Sequence, residues 1–451
     1  MKKRLTHREL LTITSMLFGM FFGAGNIIFP IYMGQLAGRN VWLAVVGFCV
    51  SAVGLPILGV AALGISRTNG LAELSCKVSK KYSYFFTCAL YLTIGPFFAI
   101  PRCATVPFSV GVAPLLPEGA HVQTILAIFS AVFFAAVLWF SLRPSGILTW
   151  VGKVLNPLFL VFLGLLVITA LLKPMGSLNA VEPTGAYQSL PGALSTGFLE
   201  GYNTMDALAS LAFGIVVVNV IRGLGVEEPE HIAGNTVRAG LTTGILMGVI
   251  YLLVTIAGTL TLHYGAIGAD GGAAFNLLAD HYFGKVGAIL LAVMVTFACL
   301  KTAVGLVTSC SETFVALFPK GPGYKVWAII FSVVSFLIAN LGLSTIIAYS
   351  LPVLMLLYPL AITLILLALT GKFFGNHKAV YGWVTGLTLI AALFDFFKSL
   401  PEAVRPAGVV ELGQKVLPFF DLGLGWVCPA LLGLVIGLIV RASQSQKTTA
   451  Q

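Results

Sequence analysis

Gly23-Ala24-Gly25-Asn26-Ile27-Ile28-Phe29-Pro30 lies inside an apolar run from near Leu10 to near Ala37. That run is as long as one membrane-spanning helix, or slightly longer. Its middle holds two glycines and an asparagine, with a proline just beyond. Glycine weakens a helix and permits unusual backbone angles, and proline removes a donor. Loosened backbone at mid-membrane depth is tolerated only where protein or a polar cavity satisfies it. The stretch therefore reads as a discontinuous helix whose break forms a binding site. The alternative is an unbroken helix with small residues at a helix contact, since Gly19-Met20-Phe21-Phe22-Gly23 is a GxxxG pattern.

The surrounding chain supports a membrane setting. Of 451 residues, 58% are hydrophobic and 9% charged, against about a quarter charged in a soluble domain. The expected fold class is an all-α polytopic membrane protein, with the lipid bilayer as its surroundings. The net charge of +10 does not call for a nucleic-acid partner, because the basic residues fall in short loops between spans. Seven cysteines occur without a CxxC pair, so neither a zinc site nor a disulfide framework is indicated. The first apolar segment is too long for a signal peptide core and is expected to be retained.

Twelve transmembrane helices are expected, near 9–37, 41–66, 83–112, 121–142, 148–173, 190–219, 231–262, 284–318, 324–341, 345–369, 378–397 and 418–441. Arg67, Lys77, Lys80, Lys81, Arg143, Arg222, Arg238, Lys320 and Lys372 crowd one set of loops. The other set holds fewer, among them Arg39, Lys173, Lys285 and Lys398. This bias puts both termini in the cytoplasm. No loop is long enough to fold alone, so residues 1–451 read as a single transmembrane domain.

The sixth span echoes the first. Glu200-Gly201-Tyr202-Asn203-Thr204-Met205-Asp206 interrupts apolar sequence that continues to Val220. Polar groups at that depth are costly and mark function. Two interrupted helices five spans apart match an inverted five-plus-five repeat with discontinuous helices 1 and 6. Repeat one covers about 9–173 and repeat two about 190–369, with extra helices at 378–397 and 418–441.

The two breaks define a chemistry. A half-helix starting near Asn26 points free N–H groups and a positive dipole end into the gap, which attracts a carboxylate. Carbonyls freed nearby are hard ligands for a cation, and those near Asp206 suit an ammonium. A zwitterion with an apolar side chain fits, with Phe97, Phe98, Ile100, Met205 and Phe213 as candidate apolar surface. Pro96 and Pro101 predict a kinked or broken helix in Gly95-Pro96-Phe97-Phe98-Ala99-Ile100-Pro101-Arg102, and Arg102 either lines the pathway or, the favoured reading, pairs with Glu200 or Asp206. Glu312 and Asp395 are expected at solvated span ends. Lys301, mid-span, must pair, lose its proton or face water.

These stretches, together with Thr302-Ala303-Val304-Gly305-Leu306, resemble the bacterial branched-chain amino acid:cation symporter family over about residues 5–440. The resemblance implies the leucine-transporter fold in the bacterial inner membrane. It also implies uptake of leucine, isoleucine and valine, usually driven by sodium. By the same resemblance, N–H groups of Ala24 and Gly25 hold the substrate carboxylate, and Asn26 braces the break. Tyr202 and Met205 border the substrate. A sodium ion, Na+, sits between carbonyls of Gly19, Phe22 and Ala298 and an adjacent pair at 301 and 302. Thr302 fits that pair, whereas Lys301 stands where a hydroxyl is expected. Two alternatives stay open: sodium binds regardless, or the Lys301 ammonium replaces it in a proton-coupled or uncoupled carrier.

No cofactor and no obligate protein partner are expected. An ion channel is the rival class, and the pairing of breaks within one chain argues against it. An enzyme is disfavoured because all six histidines lie at or near loops and no GxxxxGK[ST] loop exists.

Overall fold

Caps fix where the helices begin. In the computed structural model, which describes residues 4–23, 25–117, 119–143 and 146–449, Thr6 opens the first helix. Its backbone N–H donates to Glu9 Oε2 (2.8 Å), and its hydroxyl accepts from the Glu9 N–H (3.4 Å). Ser79 and Ser189 cap the third and sixth spans in the same way, accepting from the backbone N–H groups of Tyr82 and Gly192. Such side chains satisfy donors that the first turn leaves free.

Twelve helical rods follow among the described residues, and no strand does. The first span is two helices, His7–Phe21 and Gly25–Ala37. The second runs from Val41–Cys49 through a wider π-helical turn, Val50–Gly54, into Leu55–Ser66. The third bends at Gly95 (φ −97°, ψ −125°) between Lys80–Leu92 and Ala99–Pro107. Val122–Leu142 and Gly146–Leu172 form the fourth and fifth. Leu190–Glu200 and Asp206–Gly223 form the sixth, and Pro229–Leu260 the seventh. The eighth lies within Gly271–Leu317. Tyr324–Ala339, Leu343–Thr370, Lys378–Lys398 and Val427–Thr449 complete the set.

Two stretches differ from expectation. The loop read at 263–283 contains a helix of its own. Its start at Gly271 is capped by Asp270 Oδ1, which accepts from the Ala273 N–H (3.0 Å) and the Ser109 hydroxyl (2.7 Å). It meets the eighth span at Gly284 (φ 58°, ψ −161°), a backbone conformation open to glycine alone. The last span starts at Val427 rather than near 418, because a short helix, Ala407–Val416, and a turn, Phe420–Leu422, take up the approach. Asp395 is also not solvated. It is 1% exposed, and neither carboxylate oxygen has a hydrogen-bond partner.

The packing has an internal exchange symmetry. The first span lies along the seventh, and the sixth lies along the second. Swapping the repeats turns one contact into the other. Both are closed by reciprocal glycines. A Cβ on Gly34 would strike the Thr255 carbonyl, and one on Gly258 the Ile31 carbonyl. Gly47 and Gly197 repeat the device against the carbonyls of Leu194 and Ala44. Small residues let membrane helices approach to backbone distance, where packing replaces the missing hydrophobic drive. The third and eighth spans pack on each other, and the eleventh and twelfth pair beside the tenth, outside the repeats.

Nearly all of Gly25–Ala37 is buried. Large apolar side chains such as Val132, Ile245 and Val286 stand exposed on outer helices, the arrangement lipid requires. Among the described residues nine helical segments are long and apolar enough to cross a membrane, and Leu160–Leu172 and Tyr324–Ala339 are shorter apolar helices. The protein is a multi-pass membrane protein.

The glycine contacts predict a clear asymmetry. Gly197→Leu and Gly258→Leu should cost about 1–3 kcal/mol or more through overpacking and sharply reduce the monodisperse peak in size-exclusion chromatography. Gly386→Leu, with open space around its Cβ position, should leave that peak unchanged. Equal yields from all three would remove the close-packing argument.

Candidate functional site

The first break is built around one amide. Winding stops at Phe21, and Phe22 is extended (φ −78°, ψ 96°). The Gly23 N–H, which would return to Gly19 in a helix, donates instead to Asn26 Oδ1 (3.1 Å). The Gly19 carbonyl thereby loses its ordinary helical donor. The Asn26 Nδ2 group donates to Asp206 Oδ2 (2.6 Å) and to the Tyr251 hydroxyl (2.6 Å). One side chain thus ties the break of the first span to that of the sixth and to the seventh span.

The sixth-span break is a single tight turn, Gly201–Thr204, followed by Met205 in the left-handed region (φ 61°). A side chain there costs on the order of 1–3 kcal/mol unless its surroundings hold it. The Met205 N–H donates to the Tyr202 carbonyl (3.0 Å), and the Met205 carbonyl accepts from the Ala209 N–H (2.9 Å). The Thr204 hydroxyl donates to the Gly201 carbonyl (2.9 Å) and receives the Asp206 N–H (3.4 Å). Gly201 is obligatory for space, because a Cβ there would collide with Ser51.

Arg102 comes from the third span. Nη1 donates to the Asn203 carbonyl in the sixth-span break (2.7 Å), and Nη2 to the Ser350 hydroxyl of the tenth span (2.9 Å). The guanidinium lies 5.4 Å from the centre of the Phe29 ring, a cation–π distance. The expected pairing with Glu200 or Asp206 does not occur. Glu200 instead accepts from Asn203 Nδ2 (2.9 Å).

The two breaks, the third span and the eighth enclose a cavity of about 120 Å³. Gly25, Asn26, Met205 and Asp206 line it, as do Gly19, Phe22 and Thr302. It lies on the side of the breaks that holds the amino-terminal half of the first span and the carboxyl-terminal half of the sixth. Gly19 and Thr302 are exposed there although both are mid-span. On the other side Ile27, Ile28 and Phe29 are buried.

Several predicted residues lie elsewhere. Ala24 is outside the described residues. Tyr202 does not line the cavity. It is fully buried, stacked on Tyr358 with ring centres 3.9 Å apart and edge-on to Phe198. Phe97 is 41% exposed and also off the cavity wall, because the bend at Gly95 presents Ala99, Arg102 and Cys103 instead. Lys301 and Ala298 are off the wall as well. Neighbouring helical residues point about 100° apart, so a helix that turns Thr302 and Leu306 to the cavity turns Lys301 aside. The Ala298 carbonyl accepts from the Thr302 hydroxyl (3.1 Å), one turn away. Sequence reading missed Ile94, Ala209 and Leu306 as wall residues. Helical spacing from Asp206 to Ala209, and from Thr302 to Leu306, is the signal that finds two of them.

Residues 6–444 match the family model described as branched-chain amino acid transport protein. The chain belongs to this family. Branched-chain amino acid permease BrnQ of Lactobacillus delbrueckii subsp. lactis is 53% identical over 447 residues, 99% of this chain and 100% of the relative. The permease of the same name from Escherichia coli (strain K12) is 36% identical over 450 residues, 100% of this chain and 99% of the relative. Branched-chain amino acid transport system 2 carrier protein of Pseudomonas aeruginosa is 38% identical over 431 residues, 96% and 95% of the two chains. These relatives are named as permeases or carriers, not enzymes. Among solved structures, the inward-facing conformation of Mhp1 aligns with a TM-score of 0.64 at 14% identity, covering 97% of this chain and 91% of that one. MhsT in complex with L-phenylalanine aligns at 0.56 and 16% identity, covering 98% and 99%. At such identities the likeness establishes the fold alone, that of the leucine transporter.

The Asn26 bridge has a measurable consequence. Asn26→Ala removes the acceptor of the half-buried Gly23 N–H and the amide donor of the buried Asp206 carboxylate, at a cost of about 1–3 kcal/mol. A lower Tm of the purified protein in detergent is expected. An unchanged Tm would show that the two breaks do not depend on that amide.

Proposed function

We propose that this transporter imports leucine, isoleucine and valine across the bacterial inner membrane by symport with a cation, with sodium as the coupling ion. The observation that carries this reading is one cavity at the junction of two unwound helices. Its wall is mainly apolar, from Ile94, Met205, Phe213 and Leu306, with a few convergent polar groups. A wall of that kind suits a small zwitterion with an aliphatic side chain. The positive dipole end of the helix that starts at Gly25 favours its carboxylate.

Hard oxygen ligands beside the same cavity support sodium. The Gly19 carbonyl has lost its helical donor, and Phe22 and Thr302 stand on the same wall. Lys301 stands off that wall, which favours a bound cation over an ammonium in its place. With both termini cytoplasmic, the cavity faces the cytoplasm, and this conformation is the one that releases substrate. Alternating access then needs the first and sixth spans to close the cavity on that side and open it on the other. Sodium drives uptake only by favouring the loaded states through differential affinity.

Labelled leucine uptake into proteoliposomes, with sodium and proton gradients imposed separately, tests the reading. A sodium gradient should raise the initial rate, and unlabelled isoleucine and valine should compete. Failure to compete would overturn the substrate assignment, and a response to protons alone would overturn sodium coupling. Thr302→Ala should weaken the apparent sodium affinity on the order of tenfold, about 1.4 kcal/mol. Lys301→Thr should leave sodium dependence as it is. Sodium stimulation appearing only in Lys301→Thr would favour the replacement reading instead.

A further inference from the structure

Two buried ionisable side chains of opposite polarity, Arg102 and Asp206, line the cavity, and among the described residues neither meets an oppositely charged partner. Arg102 is 6% exposed and Asp206 4%. Neither makes an ion pair among the described residues. Arg102 donates to a backbone carbonyl and a serine hydroxyl, both neutral. Asp206 accepts from the neutral amide of Asn26. A buried charge held only by neutral partners is expensive, more so at mid-membrane depth. Both line one cavity, Arg102 from the third span and Asp206 from the sixth, yet no ion pair joins them.

We propose that the substrate supplies both counter-charges: Arg102 takes the carboxylate of the amino acid, and Asp206 takes its ammonium group. This rests on the amino-acid reading above and deepens it by assigning a residue to each end of the zwitterion. The surroundings fit. Arg102 lies against Phe29, and the Phe29 ring lies against Gly25, 3.2 Å from where a Cβ on Gly25 would stand. Arg102 and Gly25 also line the same cavity, so the guanidinium adds a full charge to the helix dipole for a carboxylate held there. Asp206 starts the second half of the sixth span and is tied through Asn26 to the same corner. A bound zwitterion leaves the net charge of the site unchanged. A ligand with one charged end leaves either Arg102 or Asp206 uncompensated, and the site discriminates against it.

The test is competition against labelled leucine by three ligands: leucine, 3-methylbutylamine, which lacks the carboxylate, and 4-methylpentanoate, which lacks the ammonium. In the wild type each truncated ligand should bind on the order of 10- to 100-fold more weakly than leucine, the worth of charge-assisted hydrogen bonds. Arg102→Gln should weaken leucine by a similar factor and leave 3-methylbutylamine within about twofold, closing the gap between them. Asp206→Asn should close the gap to 4-methylpentanoate instead. Arg102→Lys, which keeps the charge, should recover part of the loss. A residue that only braces the third span against the sixth and tenth would weaken all three ligands together, and that result would overturn the proposal. Equal binding of leucine and either truncated ligand by the wild type would also overturn it, even where no variant folds. A wild type that binds no leucine would instead sink the amino-acid reading itself.

Discussion

The Asn26 side chain is the constraint on which the arrangement depends. Its amide is divided between the loose turn of its own helix, the carboxylate that starts the second half of the sixth span, and a tyrosine of the seventh. A broken helix in a bilayer exposes peptide groups that lipid cannot satisfy. Asn26 offers an acceptor and donors from one short side chain, so it mends the break locally while fixing where the other break lies. A leucine there would remove the acceptor of the Gly23 N–H and the amide donor of Asp206. A longer glutamine would need a different separation between the two helices.

The rest of the fold decides what can move around that junction. The glycine contacts bind the first span to the seventh and the sixth to the second at backbone distance. Such contacts are too close to slide without collision. The broken turns are different. Phe22 and Met205 hold non-helical angles, and a few residues with altered backbone angles are what a hinge requires. Tight paired helices joined by loosened turns predispose the molecule to rocking of groups rather than smooth bending. The cavity on one side, with Ile27, Ile28 and Phe29 buried on the other, matches one of the two arrangements that the proposed rocking would exchange.

Much of this was legible in the sequence, and the parts that were not have physical reasons. Twelve rods, the break between Phe21 and Gly25, that at Gly201–Met205, and the bend near Pro96 all follow from apolar run length and from helix-weakening residues. Cavity-facing residues were less legible. Tyr202 stands in a polar break and looks like a ligand, yet its ring is consumed by stacking on Tyr358, a partner more than a hundred residues away. Phe97 neighbours the bend at Gly95, and a bend redirects a helix face in a way periodicity cannot give. Arg102 was recognisable as an intramembrane cation, but its partners are a backbone carbonyl and a serine hydroxyl, which no charge-pairing rule selects. The helix opening at Gly271 went unseen because its register restarts at Gly284, so the two helices share no common face.

The wall chemistry bears on how one site would serve the several substrates proposed. An apolar pocket distinguishes ligands that differ by one methylene by only about 1–3 kcal/mol, so the proposed substrates, two isomers and one homologue a methylene shorter, would be weakly distinguished by a wall of Ile94, Met205, Phe213 and Leu306. Methionine and aliphatic side chains repack at little cost, which suits differently branched ligands. Rejection works differently. A polar side chain buried against that wall loses its water without gaining a partner, a penalty of about 1–3 kcal/mol on protein scales and more for a charge. The polar groups of the site are concentrated at the two breaks, where the main-chain end of an amino acid would lie. Selectivity among side chains then rests on exclusion by the apolar wall, while recognition of the amino acid as such rests on the broken helices.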